Sequence, residues 1–319
     1  MAARKLVVLD VVGLTLDLLR HAPRIAAVAA EGFVAPMDGL LPGLTCSAQA
    51  TLLNGTLPRE HGVVANGWYF RELSEVALWR QSQALVQGPR LLDELAAATP
   101  RRTVANLFWW FNMYSAATWS VTPRPHYPAD GRKVPDVYSE PVELGRELSA
   151  ELGTFPLFHF WGPTASIRST RWIADAACRV VASHDPDLTL VYLPHLDYDL
   201  QRFGPNDARI AAQVAAVDAE AGKLIDAARA TGREIVVLSE YGISEVRGAV
   251  TINRALRNGG LLTVRSTPFG ELLDAGDWAE VARVVAEKSR DDPLFGPQAE
   301  QRFRTLRLNI EREAAATTA

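Results

Sequence analysis

Thr45 opens the run Thr45-Cys46-Ser47-Ala48-Gln49-Ala50-Thr51, whose small and polar residues read as the start of a helix. Backbone N–H groups and the helix dipole favour an anion at such a start. A hydroxyl there suits a nucleophile facing a phosphate. The plainer reading makes Thr45 the N-cap of that helix, and the two readings are compatible. Asp10, Asp197 and Glu240 each stand at or just past the end of an apolar run. One such acid would pass as a turn or helix cap. Three of them converging with one Thr argue a metal-assisted site.

The elements that must deliver these residues are legible as apolar runs. Leu6 to Val12 reads as a buried parallel strand with Asp10 near its C-terminal edge, where open α/β sheets place their ligand sites. Residues 14–31 have helical apolar spacing. Val104 to Phe108, Leu188 to Leu193 and Glu234 to Glu240 are three further strands, and Ala208 to Ala230 is a helix ended by Thr231-Gly232. The alternation predicts an α/β fold, a doubly wound, mostly parallel sheet flanked by helices. Residues 109–163 break that rhythm with Trp109, Trp110, Trp119, Trp161 and many prolines. They read as an aromatic-rich insertion capping the sheet edge, either receiving an apolar group of a substrate or simply packing on the core. The expected domain is 1–276, followed by a helical tail over 277–319.

Composition narrows the class. The 319 residues suffice for one large α/β domain, and a net charge of −4 gives no reason to expect nucleic acid or an acidic membrane as partner. Two cysteines, Cys46 and Cys178, are too few for a disulfide framework, and a reducing cytoplasm is the simplest expectation. No run approaches the roughly 20 apolar residues of a membrane-spanning helix. Asp10 interrupts the N-terminal apolar run too early for a signal peptide.

The order Thr45-x(5)-Thr51-x(3)-Gly55-x(2)-Pro58-x(2)-His61-Gly62-x(3)-Asn66 resembles the nucleotide pyrophosphatase/phosphodiesterase branch of the alkaline phosphatase superfamily. The resemblance covers roughly residues 4–275. It implies an alkaline phosphatase-like fold, Thr45 as nucleophile and Asn66 as the residue holding a non-bridging phosphate oxygen. His61 falls on a structural His-Gly turn. Hydrolases of this kind clamp the attacking and leaving oxygens between two metals about 4 Å apart. By resemblance one metal takes Asp10, Thr45 and an Asp-His pair, and the other an acid at Asp197, a His four residues later and a distant C-terminal His.

The chain departs from that set at every histidine. Gln201 stands four residues after Asp197, Glu240-Tyr241 replaces the Asp-His pair, and the last histidine is His195. The C-terminal segment that should carry the final ligand is missing from the resemblance. An oxygen-rich set disfavours Zn²⁺ and favours Mg²⁺ or Mn²⁺. His195, two residues before Asp197, is a substitute ligand if both lie on a strand and share a side; a hydrogen-bonded loop histidine is the alternative. The expected catalytic residues are Thr45, Asn66, Glu240 and Tyr241, and the metal ligands Asp10, Thr45, Asp197, Glu240 and His195. Asn66, Arg202 and Gln201 are the substrate contacts. The expected activity is metal-assisted hydrolysis of a phosphodiester, pyrophosphate or phosphomonoester in a phosphorylated small molecule, with a homodimer left open. Two alternatives stand beside it. One is a repurposed, metal-independent enzyme using Glu240 and Tyr241 as an acid–base pair on a phosphorylated or prenylated metabolite. The other is a non-catalytic pseudoenzyme.

Overall fold

The computed structural model describes residues 4–71, 73, 75–260, 264–267 and 270–273. The expected tail over 277–319 lies outside the described residues. The chain separates into two compact units, Met1–Glu245 and Val246–Ala319, the first of which holds the large sheet.

In the first unit β1 (Leu6–Val11) leads through a 3₁₀ turn (Leu16–His21) to α1 (Pro23–Glu31). The single helix expected over 14–31 is thus broken where Pro23, suited to a first helical turn, starts a new one. Next come α2 (Thr45–Asn54), α3 (Pro58–His61), the hairpin β2 (Gly67–Phe70) and β3 (Glu75–Leu78), and α4 (Leu91–Ala97). Strands β4 (Val104–Leu107), β5 (Trp119–Pro123) and β6 (Val137–Glu140) precede α5 (Val142–Leu152) and α6 (Ile167–His184). The unit closes with β7 (Leu188–Leu193), α7 (His195–Phe203), α8 (Ile210–Ala230) and β8 (Glu234–Leu238). The second unit holds α9 (Ile252–Asn258) and an antiparallel pair, β9 (Val264–Thr267) with β10 (Gly270–Leu273).

Six strands form one sheet in the order β6-β5-β4-β7-β1-β8. Every pairing is parallel except β5 with β6. The fold is therefore the mostly parallel α/β sheet expected from the apolar runs. The stretch read as an insertion over 109–163 instead supplies β5 and β6 of this sheet. Both strands are short, five and four residues, so neither shows enough alternation to be read as a strand. Its aromatics mostly pack inward. Phe108, Phe155, Phe160 and Trp172 form one cluster with ring centroids 4.8–6.0 Å apart, and Trp109 is buried in the same core.

The strand order explains how the site is gathered. β1 lies between β7 and β8, with Asp10 opposite Tyr192 on one side and Leu238 on the other. The segments leaving β7 and β8 therefore emerge on either side of Asp10. Gly13, just past β1, has φ +81°, and a Cβ there would stand 2.6 Å from Leu200 Cδ1. That left-handed φ is what favours glycine at this turn.

Candidate active site

Asp10 comes from β1, Thr45 from the first turn of α2, Asp197 from α7 and Glu240 from the loop after β8. All four are buried. The Thr45 hydroxyl donates to Glu240 Oε1 at 2.7 Å and lies 3.5 Å from the Tyr241 hydroxyl. Tyr241 donates to Asp197 Oδ1 at 3.0 Å, and Gln201 Nε2 donates to Asp197 Oδ2 at 2.8 Å. Residues 197 and 201 are one turn apart on α7, so their side chains share a face.

The N-cap reading of Thr45 is not realised. Leu44 occupies the cap position without a side-chain bond, and Thr45 is the first helical residue. The cap is supplied from a distance: Asn66 Oδ1 accepts the Cys46 N–H at 2.9 Å. One of the orphan donors at the start of α2 is thereby satisfied. That bond also orients the Asn66 amide, whose Nδ2 has no partner among the described residues.

Gln49 was not anticipated as a site residue. It is 1 % exposed and one turn after Thr45. Its Oε1 accepts the Trp110 N–H at 2.7 Å, and its Nε2 donates to Asp10 Oδ2 at 3.0 Å. The only signal in the sequence was its i,i+4 spacing from Thr45.

His195 and Arg202 are engaged elsewhere. Residues 195–203 form a helix, not a strand, because Leu196 and Leu200 recur at helical spacing and are buried. Two residues apart on a helix is about 200° of rotation, so His195 and Asp197 do not share a side. His195 Nε2 instead pairs with Gln213 Oε1 at 2.8 Å, and burial lowers its pKa. Arg202 donates to Asp199 Oδ1 at 2.7 Å and to the carbonyls of Gly162 and Ala165, both at 3.1 Å. His61, the last residue of α3, is buried; its ring accepts the Val63 N–H and meets the Thr51 hydroxyl.

The electrostatics of the site are unbalanced. Burial pushes the Asp10 and Glu240 carboxyls above their ordinary range, and for Glu240 the nearby Asp10 charge adds to it. Burial raises Asp197 as well, against the pull of its Gln201 and Tyr241 bonds. It also raises Tyr241, which keeps the phenol neutral. Among the described residues no Lys or Arg forms an ion pair with Asp10, Asp197 or Glu240, although buried charges ordinarily need a partner.

A divalent cation would meet that need, and the residues present accommodate it unevenly. Asp10 is near enough to Glu240 for its charge to raise the Glu240 carboxyl. One oxygen of each, Asp10 Oδ1 and Glu240 Oε2, is buried without a partner. With the Thr45 hydroxyl they make an oxygen donor set suited to a hard ion. No group of three or more His, Cys, Asp or Glu side chains arranged to hold a metal ion occurs among the described residues. The two-metal, histidine-bearing arrangement does not fit this chain.

Comparison with known proteins agrees with the geometry. The chain is similar in fold to phosphonoacetate hydrolase from Sinorhizobium meliloti 1021, solved with phosphonoacetate: TM-score 0.59, 14% identity, 88% of this chain and 73% of that one. It is also similar to an inactive variant of murine ectonucleotide pyrophosphatase/phosphodiesterase 5 in complex with AMP, with TM-score 0.57, 15% identity and coverage of 88% and 69%. A mutant of the alkaline phosphatase PafA gives TM-score 0.60, 13% identity and coverage of 92% and 78%. No curated protein sequence matches significantly. Residues 6–306 match the family described as type I phosphodiesterase/nucleotide pyrophosphatase. The match runs past residue 275, where the sequence resemblance was expected to end. Because it spans most of the chain, the protein belongs to the type I phosphodiesterase/nucleotide pyrophosphatase family and is a hydrolase of the alkaline phosphatase superfamily.

Proposed function

We propose that the protein hydrolyses a phosphodiester, pyrophosphate or phosphomonoester bond of a small phosphorylated metabolite, with Thr45 as nucleophile and a divalent metal assisting. The observation that carries this reading is the hydrogen bond from Thr45 to Glu240 inside a buried group of carboxylates lacking any cationic partner among the described residues. Glu240 Oε1 is placed to take the Thr45 proton as Oγ1 attacks phosphorus. The phosphoryl group passes to Thr45 Oγ1 as the ester or anhydride oxygen departs. Water then cleaves the phosphothreonine and restores the hydroxyl. The Asn66 amide, oriented by its bond to Cys46 N–H, is aimed to steady charge on an equatorial phosphate oxygen. A hard divalent ion held by Asp10, Glu240 and Thr45, when bound, supplies the positive charge that the side chains lack.

The net charge of −4 favours a small molecule over nucleic acid as substrate. No described helix is long and apolar enough to cross a membrane. Cys46 and Cys178 are both free thiols, in keeping with the cytoplasm as the place of action.

Turnover of a panel of phosphodiesters, dinucleotides and phosphomonoesters, measured for the wild type and Thr45→Ala with and without EDTA, tests the reading. Loss of turnover in Thr45→Ala is expected, and unchanged turnover would sink it. Full activity in EDTA would instead favour metal-independent acid–base chemistry through Glu240 and Tyr241.

A further inference from the structure

The carboxylates of this site fall into two sorts. Asp10 and Glu240 each keep one buried oxygen without a partner. Asp197 has both oxygens engaged, by the Tyr241 hydroxyl at 3.0 Å and by Gln201 Nε2 at 2.8 Å. Building on the phosphoester-hydrolase reading, we propose that the site binds one divalent cation, between Asp10, Glu240 and Thr45. In this proposal Asp197, its two oxygens already held by Tyr241 and Gln201, takes no metal.

The two positions differ in what a cation would gain and lose. At Asp10 and Glu240 it relieves two adjacent buried carboxylates and finds oxygens that nothing else satisfies. At Asp197 it must displace two good hydrogen bonds in return for a single carboxylate. The other groups there, a phenol and a carboxamide, are neutral. The histidine nearest in sequence, His195, is turned to Gln213 on α8. The same network holds the Tyr241 hydroxyl 3.5 Å from Thr45 Oγ1, beside the position a phosphoryl group must occupy.

Binding of Mn²⁺ to the metal-stripped full chain, followed by calorimetry and native mass spectrometry, tests the proposal without relying on turnover. One ion per chain is expected. Asp10→Asn should weaken its affinity about tenfold or more, while Asp197→Asn leaves one ion bound. Circular dichroism melting confirms that each variant is folded. Tyr241→Phe should likewise retain one ion. Two ions per chain, no ion, or an ion lost only in Asp197→Asn overturns it. A chain that binds no Mn²⁺ yet loses turnover in Thr45→Ala refutes the inference alone. One bound ion with full turnover in Thr45→Ala refutes the Thr45 reading alone.

Discussion

Gln49 is the residue on which the orientation of Asp10 depends, and replacing it has a calculable cost. Its amide bridges a backbone donor, Trp110 N–H, and a carboxylate oxygen, Asp10 Oδ2, at a position 1 % exposed. Gln49→Leu keeps the volume nearly unchanged and removes both partnerships. A buried N–H loses its acceptor and a fully buried carboxyl loses a donor, at about 1–3 kcal/mol each, so the variant should lose about 2–6 kcal/mol. That is a large share of the roughly 5–15 kcal/mol by which domains are stable. Urea unfolding followed by tryptophan fluorescence at pH 8 measures it. Gln49→Glu supplies the control. The introduced carboxylate still accepts from Trp110 N–H but faces Asp10 with like charge, so this variant too is destabilised at pH 8. It should recover as the pH is lowered towards 5, because the introduced carboxyl, once protonated, donates to Asp10 as the amide did. If Gln49→Leu unfolds within about 0.5 kcal/mol of the wild type, the range of an ordinary surface change, the bridge does not hold the site.

Two further outcomes follow from named bonds. Asn66→Asp keeps an acceptor for Cys46 N–H at the start of α2 but loses the Nδ2 donor and adds negative charge at the proposed phosphate position. Its turnover should fall about 10²-fold or more with its melting temperature unchanged or raised, and full turnover would remove Asn66 from the mechanism. His61 is buried with Nδ1 accepting from Val63 N–H, so Nε2 carries the proton towards Thr51, and burial holds its pKa below the ordinary 6.5. The folded state therefore binds a second ring proton less tightly than the unfolded chain. The stability present above pH 6.5 is lost as pH falls from 6.5 to the folded pKa. Ring-nitrogen NMR should give His61 a titration midpoint below 6.5, and a midpoint at or above 6.5 would contradict this.

Much of the fold was legible because parallel strands buried on both faces are nearly continuous apolar runs. β1, β4, β7 and β8 lie where those runs stand. β5 and β6 were not legible: each is too short for a period to emerge, and β6 pairs antiparallel on the sheet edge. Of the candidate site, Asp10, Thr45, Asn66, Asp197, Gln201, Glu240 and Tyr241 could be named from strand ends and motif spacing; hydrogen bonds link Thr45, Glu240, Tyr241, Asp197 and Gln201, while Asp10 bonds Gln49 and Asn66 bonds the Cys46 N–H. Gln49 could not be named, since a glutamine inside a helix is ordinary until its partners are known.

The sequence by itself determined the chemistry on offer: a hydroxyl at a helix start, acids at strand ends, and no histidine after His195. These depend only on residue type and local periodicity. Tertiary structure decided which groups meet. The placing of β1 between β7 and β8 set Asp10 amid the segments bearing Asp197 and Glu240. The helical form of 195–203 gave Asp197 to Gln201 and turned His195 towards α8. Such pairings join residues far apart in the chain, and local pattern carries no record of strand order or of the side a helix presents.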